Sequence, residues 1–299
     1  MEHCLFVSGE NVKEVWLETL LKVLLYGIDI KTEYDKPDEP ASKDATVMIE
    51  IINPIENPIM IKGKKTYLIT SKYGNQYLVF GHPADLYLIE SIKGGYIEEM
   101  LDGTNDHLIV ESKTSFPYSY HDRIFNYTTY GKEDYSKKRY RYMIRKLNSN
   151  YLPRIDQIEY IIQKLKESPY SRRAQAITWR PYSDPYHSDP PCLQRVWCRI
   201  INGSLIMETT WRSRDLFKAW SANTNAMLRI QIYIARKLGV SVGSYIDISN
   251  SLHIYGKDLK GLKDLLVRIY KKGDFNSKIL KLLTDCIYNE LRVGNICQI

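Results

Sequence analysis

Residues 171–223 decide the fold: S-R-R-A-Q-A-I-T-W at 171–179, P-P-C at 190–192 and R-S-R-D-L-F-K-A-W-S-A-N at 212–223. Between the last two lie apolar, β-branched runs at 193–201 and 205–211, joined at Asn202-Gly203. Asn-Gly supplies the positive-φ pair of a tight hairpin turn, so these runs predict an antiparallel pair. A cysteine leads into its first strand and an Arg-Ser-x-Asp cluster leaves its second. Residues 174–179 alternate as a further strand before a proline-rich loop at 181–191.

Working outward, residues 12–25 place apolar side chains at helical spacing, with Gly27 as a stop. Residues 31–45 are polar with two prolines and read as a loop. Runs at 46–52 and 65–70 read as strands. Residues 85–101 predict a helix broken at Gly94-Gly95, and 107–138 an irregular segment with one or two strands. Residues 151–167 put Ile155, Ile158, Ile161, Ile162 and Leu165 on one face of an amphipathic helix. A second helix is expected at 224–238, stopped by Gly239. A strand follows at 245–255, then helices at 258–271 and 276–291. No internal repeat or linker divides the chain, so the reading is one α+β domain over 1–299.

The composition is 44% hydrophobic and 26% charged, with 5 cysteines at irregular spacing and no C-x-x-C. That spacing excludes the common zinc patterns and fits a reducing compartment. No apolar run approaches the roughly 18 residues of a membrane helix, and residues 1–10 lack a secretory pattern, so a cytoplasmic chain is expected. The net charge of +7 is unevenly placed: residues 1–122 hold 11 lysines, no arginine and 20 acids. A basic second half points to nucleic acid or a small anion. Paired arginines with matched polar residues favour the small ligand.

Cys192 needs cationic neighbours or donors to act as a nucleophile near neutrality, and Arg212 on the far arm of the hairpin is the candidate. Cys198, mid-strand and flanked by apolar residues, reads as structural. Arg172, Arg173, Arg212 and the Ser213 hydroxyl suit a phosphate dianion, since guanidinium forks match its oxygens. Asp215 and Asn223 read as a helix N-terminal acid and a cap, or as site residues. The Asn223 amide sets an acceptor beside a donor, which matches the N3–H and O4 of uracil and not cytosine. His253 and Tyr255 alternate on one strand and share a face. These residues together predict a nucleotide-monophosphate site with a covalent cysteine.

They also resemble the thymidylate synthase family: S-R-R-A-Q-A-I-T-W, P-P-C, R-S-R-D and the asparagine eight residues on, with L-H-I-Y at 252–255 similar to its later His-x-Tyr element. The likeness is to the divergent archaeal branch, strongest over 125–255, while 1–120 diverges. It implies a large mixed β-sheet packed by helices and a sheet-to-sheet homodimer. Cys192 would attack C6 of dUMP, and C5 would then take a one-carbon unit from a methylene pterin, yielding dTMP. Arg212 and Ser213 would hold the 5′-phosphate, with Arg172 and Arg173 donated across the dimer interface. Asn223 would select uracil, His253 and Tyr255 would meet the ribose, and Asp215 would anchor the pterin. Tyr130 would order the proton-transfer network, and Glu98, or else Glu99, would be the catalytic glutamate. Lys31 is the candidate replacement for the family's N-terminal phosphate arginine.

The pterin is 5,10-methylenetetrahydrofolate or methylene-tetrahydromethanopterin, because the family's tryptophan-rich folate segment and closing tail are missing. No metal or membrane is implied. A pyrimidine-nucleotide C5 hydroxymethylase, in which water captures the exocyclic methylene, and a non-catalytic RNA-binding homologue are the competing readings.

Overall fold

The computed structural model describes residues 4–33, 35–55, 67–79, 85–109, 118–128, 154–181, 183–187, 189–272 and 276–293. The chain opens with β1 (Cys4–Gly9), α1 (Val12–Tyr26), β2 (Ile28–Ile30) and β3 (Ser42–Ile51). Then come the hairpin β4 (Tyr67–Thr70) and β5 (Gln76–Val79), followed by α2 (Asp85–Lys93), α3 (Tyr96–Asp102) and α4 (Tyr120–Phe125). The second half holds α5 (Gln157–Glu167), β6 (Gln175–Ile177), β7 (Leu193–Ile201), β8 (Ser204–Trp211), β9 (Arg214–Asp215) and α6 (Trp220–Leu238). β10 (Ser241–Ile254), α7 (Leu259–Lys272) and α8 (Ser277–Val293) close it.

One mixed sheet runs β1-β3-β10-β8-β7-β6, with β2 on β3 and β9 on β10. Its two faces differ sharply. One register-matched row reads Val7, Ile49, Asp247, Thr209, Val196 and Ala176. All six are buried, on the face that α1 and α6 share. A row on the opposite face reads Phe6, Met48, Ile248, Thr210, Arg195 and Ile177. There Phe6 is 56% exposed and Ile177 41%, and no described helix covers them. Alternation of side chains along each strand produces this split.

The turn signals act as their chemistry requires. Asn202 and Gly203 take φ of 49° and 73° and close the β7–β8 hairpin. Gly239, at φ 68°, ends α6 with its N–H on the Ala235 and Arg236 carbonyls. Gln157 seals the sheet's β6 edge, its amide both donating to the Ile177 carbonyl and accepting from the Ile177 N–H. An edge strand so covered cannot recruit another chain there.

Three expectations shift. The 151–167 helix begins at Gln157, where Asp156 caps it by accepting from the Glu159 N–H; Ile155 bridges to Tyr127 and is exposed. Of the segment 107–138 only 107–109 and 118–128 are described, as a 3-10 turn, α4 and that one bridge, and the rest of the span expected to hold one or two strands lies outside the described residues. β3 starts at Ser42, so part of the expected loop is strand. Finally α6 starts at Trp220, four residues early, because Arg214 ties the Trp220 carbonyl and the Thr224 hydroxyl into its first turn. Asn223 therefore lies inside the helix and caps nothing.

Candidate active site

The β7–β8 register pairs Leu193 with Trp211. The residues just outside that pair, Cys192 and Arg212, are thus brought face to face, and the Arg212 N–H donates to the Cys192 carbonyl at 2.9 Å. β9 then pairs Asp215 with His253 on β10. One end of the sheet collects the cysteine, the arginine, the aspartate and the histidine in spatial sequence.

Cys192 is a free, half-buried thiol. Its backbone N–H and that of Leu193 both donate to the Tyr120 hydroxyl, at 3.2 and 3.3 Å. Tyr120 lies edge-on to Tyr118 and to Trp211. Burial pushes the thiol above its ordinary pKa; Arg212 pulls it down, Asp189 raises it and Arg214 lowers it. The cations offset burial only in part, so the free site holds mainly the thiol. Arg212 donates from Nε and Nη2 to the Pro191 and Pro190 carbonyls, at 3.0 and 2.6 Å. It therefore braces the turn that presents Cys192. Ser213 beside it is half-buried. Cys198, as expected, is fully buried, and burial alone drives its pKa upward.

Asn223 is held from two sides. The Arg214 Nε donates to its Oδ1 at 3.4 Å, and its Nδ2 donates to the Tyr96 hydroxyl at 2.6 Å. Arg214 is itself buried, with Nη1 on Asp247 and Nη2 on the Thr224 hydroxyl at 3.0 Å. Its guanidinium carbon stands 3.9 Å from the Trp211 ring centroid, a cation–π contact strengthened by burial.

At the far side, His253 is buried and its Nε2 meets no partner among the described residues. A buried polar atom left so is costly unless a ligand completes it. The His253 and Tyr255 rings meet edge-on at 4.7 Å. Asp215 uses Oδ1 to accept from the Phe217 and Lys218 N–H groups, both at 2.9 Å, and Oδ2 accepts no hydrogen bond from the described residues. Burial outweighs those donors and His253, and raises its pKa. The loop after β2 borders this end: a Cβ on Gly256 would lie 1.9 Å from the Pro40 carbonyl oxygen. Only glycine admits that approach. Lys31 on this loop donates to the Pro37 carbonyl at 2.7 Å.

Glu98 is buried, and its Oε1 accepts from Asn75 at 3.2 Å on the β4–β5 turn. Glu99 pairs with Lys72 at 2.5 Å on the same hairpin. Both glutamates make these contacts with the β4–β5 hairpin. Arg172 and Arg173 are exposed at the start of β6, and Tyr130 lies outside the described residues. Reasoning from sequence missed Tyr96, Tyr118, Tyr120 and Arg214. Of these only Arg214 carried a signal, as the unused position within R-S-R-D. No group of three His, Cys, Asp or Glu among the described residues could hold a metal, and no described helix is long and apolar enough to cross a membrane.

A thiol, arginines and an oriented amide at one end of a mixed sheet are features of an enzyme, and the sequence model of thymidylate synthase matches residues 114–293. The chain belongs to the thymidylate synthase family, whose members use a folate-type co-substrate. The matched span includes Tyr118 and Tyr120.

Among its relatives is a protein of Methanocaldococcus jannaschii named "Putative thymidylate synthase", 31% identical over 84% of this chain and 90% of its own length. Proteins of the same name from Methanosarcina barkeri and Methanothermobacter marburgensis are 32% and 25% identical. The first match covers 57% of this chain and 80% of that protein, the second 87% and 97%.

Proposed function

We propose that this chain converts dUMP to dTMP through a covalent bond between Cys192 Sγ and ring carbon C6. The observation that carries the reading is the convergence of Cys192, Arg212 and the Arg214–Asn223 pair at one end of the sheet. Addition of sulfur to C6 moves the C5–C6 π pair toward C5 and O4. C5 then bonds to the methylene carbon of the pterin and gives up its proton to solvent. The pterin departs, leaving an exocyclic methylene. Its hydride reduces that methylene to methyl as the thiolate leaves C6, and the pterin ends at the dihydro level.

Asn223 would read N3–H and O4, His253 Nε2 and Tyr255 would meet the ribose, and Oδ2 of Asp215 would anchor the pterin. Arg212 and Ser213 would hold the 5′-phosphate, for which Arg212 must turn from the proline carbonyls. Because Cys192 must be reduced to work, the reading places the chain in the cytoplasm. The uncovered row of Phe6, Met48, Ile248 and Ile177 supports a sheet-to-sheet homodimer. The exposed Arg172 and Arg173 just precede the edge strand β6, and from there they would reach the partner's phosphate. Ile248→Glu should yield monomers by light scattering and abolish turnover; an active monomer refutes the cross-interface site.

The test of the reaction is incubation with C5-tritiated dUMP and each methylene pterin, followed by product mass. Tritium release with gain of a methyl group, lost in Cys192→Ala, is expected. A hydroxymethyl gain would make the chain a hydroxymethylase. No tritium release with either pterin would sink both.

A further inference from the structure

We propose that Tyr96 is a further catalytic residue of this site, donating its phenol hydrogen to O4 as the sulfur adds to C6. The inference rests on the reading above and concerns how the developing charge is met. The geometry starts at the Gly94–Gly95 break. Gly95 takes φ 79°, so α3 begins afresh at Tyr96 and lies along α6. A helix turns about 100° per residue, so Tyr96 and Glu98 point to opposite sides. Tyr96 reaches Asn223, whereas Glu98 reaches Asn75 on the hairpin.

The orientation of the Asn223 amide follows from Arg214. A guanidinium N–H can only donate, so the side of the amide facing Arg214 Nε is the oxygen. Arg214 cannot turn away, because Asp247, Thr224 and the Trp220 carbonyl hold its other nitrogens. The amide nitrogen therefore faces Tyr96, and the phenol oxygen accepts there. That leaves the phenol hydrogen, and the second amide N–H, for the ligand. Burial pushes the Tyr96 pKa upward, so the group is a donor at any working pH.

When sulfur bonds to C6, negative charge gathers on O4, the atom that the second amide N–H would already meet. Two fixed donors at that position form an oxyanion hole. Loss of one such donor typically costs about 10²–10³ in kcat, because the charge exists only in the transition state. A neutral phenol so placed stabilises the enolate without exchanging a proton. No carboxylate is then needed at that spot.

The test uses the full-length chain and the isosteric Tyr96→Phe. Its dUMP dissociation constant and melting temperature should match wild type, while tritium release from C5-labelled dUMP falls about 10²–10³-fold. With 4-thio-dUMP, whose sulfur accepts hydrogen bonds poorly, the same substitution should cost at least tenfold less. A Tyr96→Phe enzyme as fast as wild type overturns this inference and leaves the dUMP reaction standing. Parallel losses of binding, melting temperature and rate, or an undiminished penalty on the thio substrate, mark a structural role and overturn it too. A wild-type chain inert toward dUMP removes both.

Discussion

Two buried guanidiniums, Arg123 and Arg214, each pair with a buried aspartate, and they serve different ends. Arg123 grips Asp184 through both Nη groups, at 2.8 and 2.9 Å, and donates to the Thr178 carbonyl. Asp184 also accepts from the Arg180 N–H at 2.6 Å. This cluster fixes the backbone between β6 and the Pro-Pro-Cys turn, and Arg123 stands over the Tyr118 ring at 5.5 Å. Arg214 meets Asp247 through Nη1 alone, with Nη2 on the Trp220 carbonyl and the Thr224 hydroxyl, and its Nε ends on the Asn223 side-chain amide. The contrast shows that burying an ion pair says little about its role. What separates the two is where a further N–H ends: on the Thr178 carbonyl for Arg123, and on the Asn223 amide, the group proposed to read the base, for Arg214.

The largest effects come from splitting these pairs. Arg123→Met and Arg214→Met should each lower stability by about 3–5 kcal/mol, because each strands a buried carboxylate. Urea denaturation would register it. The charge-free doubles Arg123→Met/Asp184→Leu and Arg214→Met/Asp247→Leu should recover most of that loss, since apolar replacements of buried pairs are often neutral. Activity then separates them. The first double should keep turnover within a few-fold, while the second should lose at least tenfold in dUMP turnover as the Asn223 amide becomes free to flip. Equal turnover in the two doubles would erase the distinction.

Arg212 is the third cation of this group, and it is partly exposed, at 28%. Arg212→Gln should therefore move the denaturation free energy by less than about 1 kcal/mol, as surface charges do. The Cys192 thiol should respond more. Burial already raises its pKa, and Arg212 is the leading influence that lowers it. Removing that cation leaves less to stabilise the thiolate, so the pH midpoint of iodoacetamide alkylation at Cys192 should rise further. Peptide mass spectrometry distinguishes Cys192 from the exposed Cys4. A downward or absent shift would mean that Arg212 braces the turn and does nothing for the sulfur.

How much of this was legible in the sequence depends on distance along the chain. Cys192, Arg212, Asp215 and Asn223 were readable because one hairpin and one helix carry them at short fixed spacings. The hairpin and the Gly239 stop were readable for the same reason. Tyr96 and Tyr120 reach Asn223 and Cys192 across 127 and 72 residues. With 24 tyrosines in the chain, no local pattern singles them out. Glu98 shows where local reading stops. The Gly94–Gly95 break was read correctly, and it sets the phase of α3. Helical geometry from Tyr96 onward already turns Glu98 to the other side. The bare face of the sheet was hidden as well, since alternation shows two faces and not which of them lacks helices.

The smallest expected effect concerns Asp189, 76% exposed and 3.9 Å from Arg212. Its charge raises the Cys192 pKa, opposing Arg212. Asp189→Asn should therefore lower the alkylation midpoint slightly and speed alkylation at pH 8 by less than about threefold, with no change in denaturation midpoint. Salt decides the cause. At 1 M the Debye length shrinks to about 3 Å, so a through-solvent charge effect of Asp189 should vanish. The Arg212→Gln shift should partly persist, because Arg212 reaches the thiol through half-buried protein. If both shifts vanish alike in salt, the guanidinium works only as a solvated surface charge, and the buried Arg214 alone tunes the sulfur.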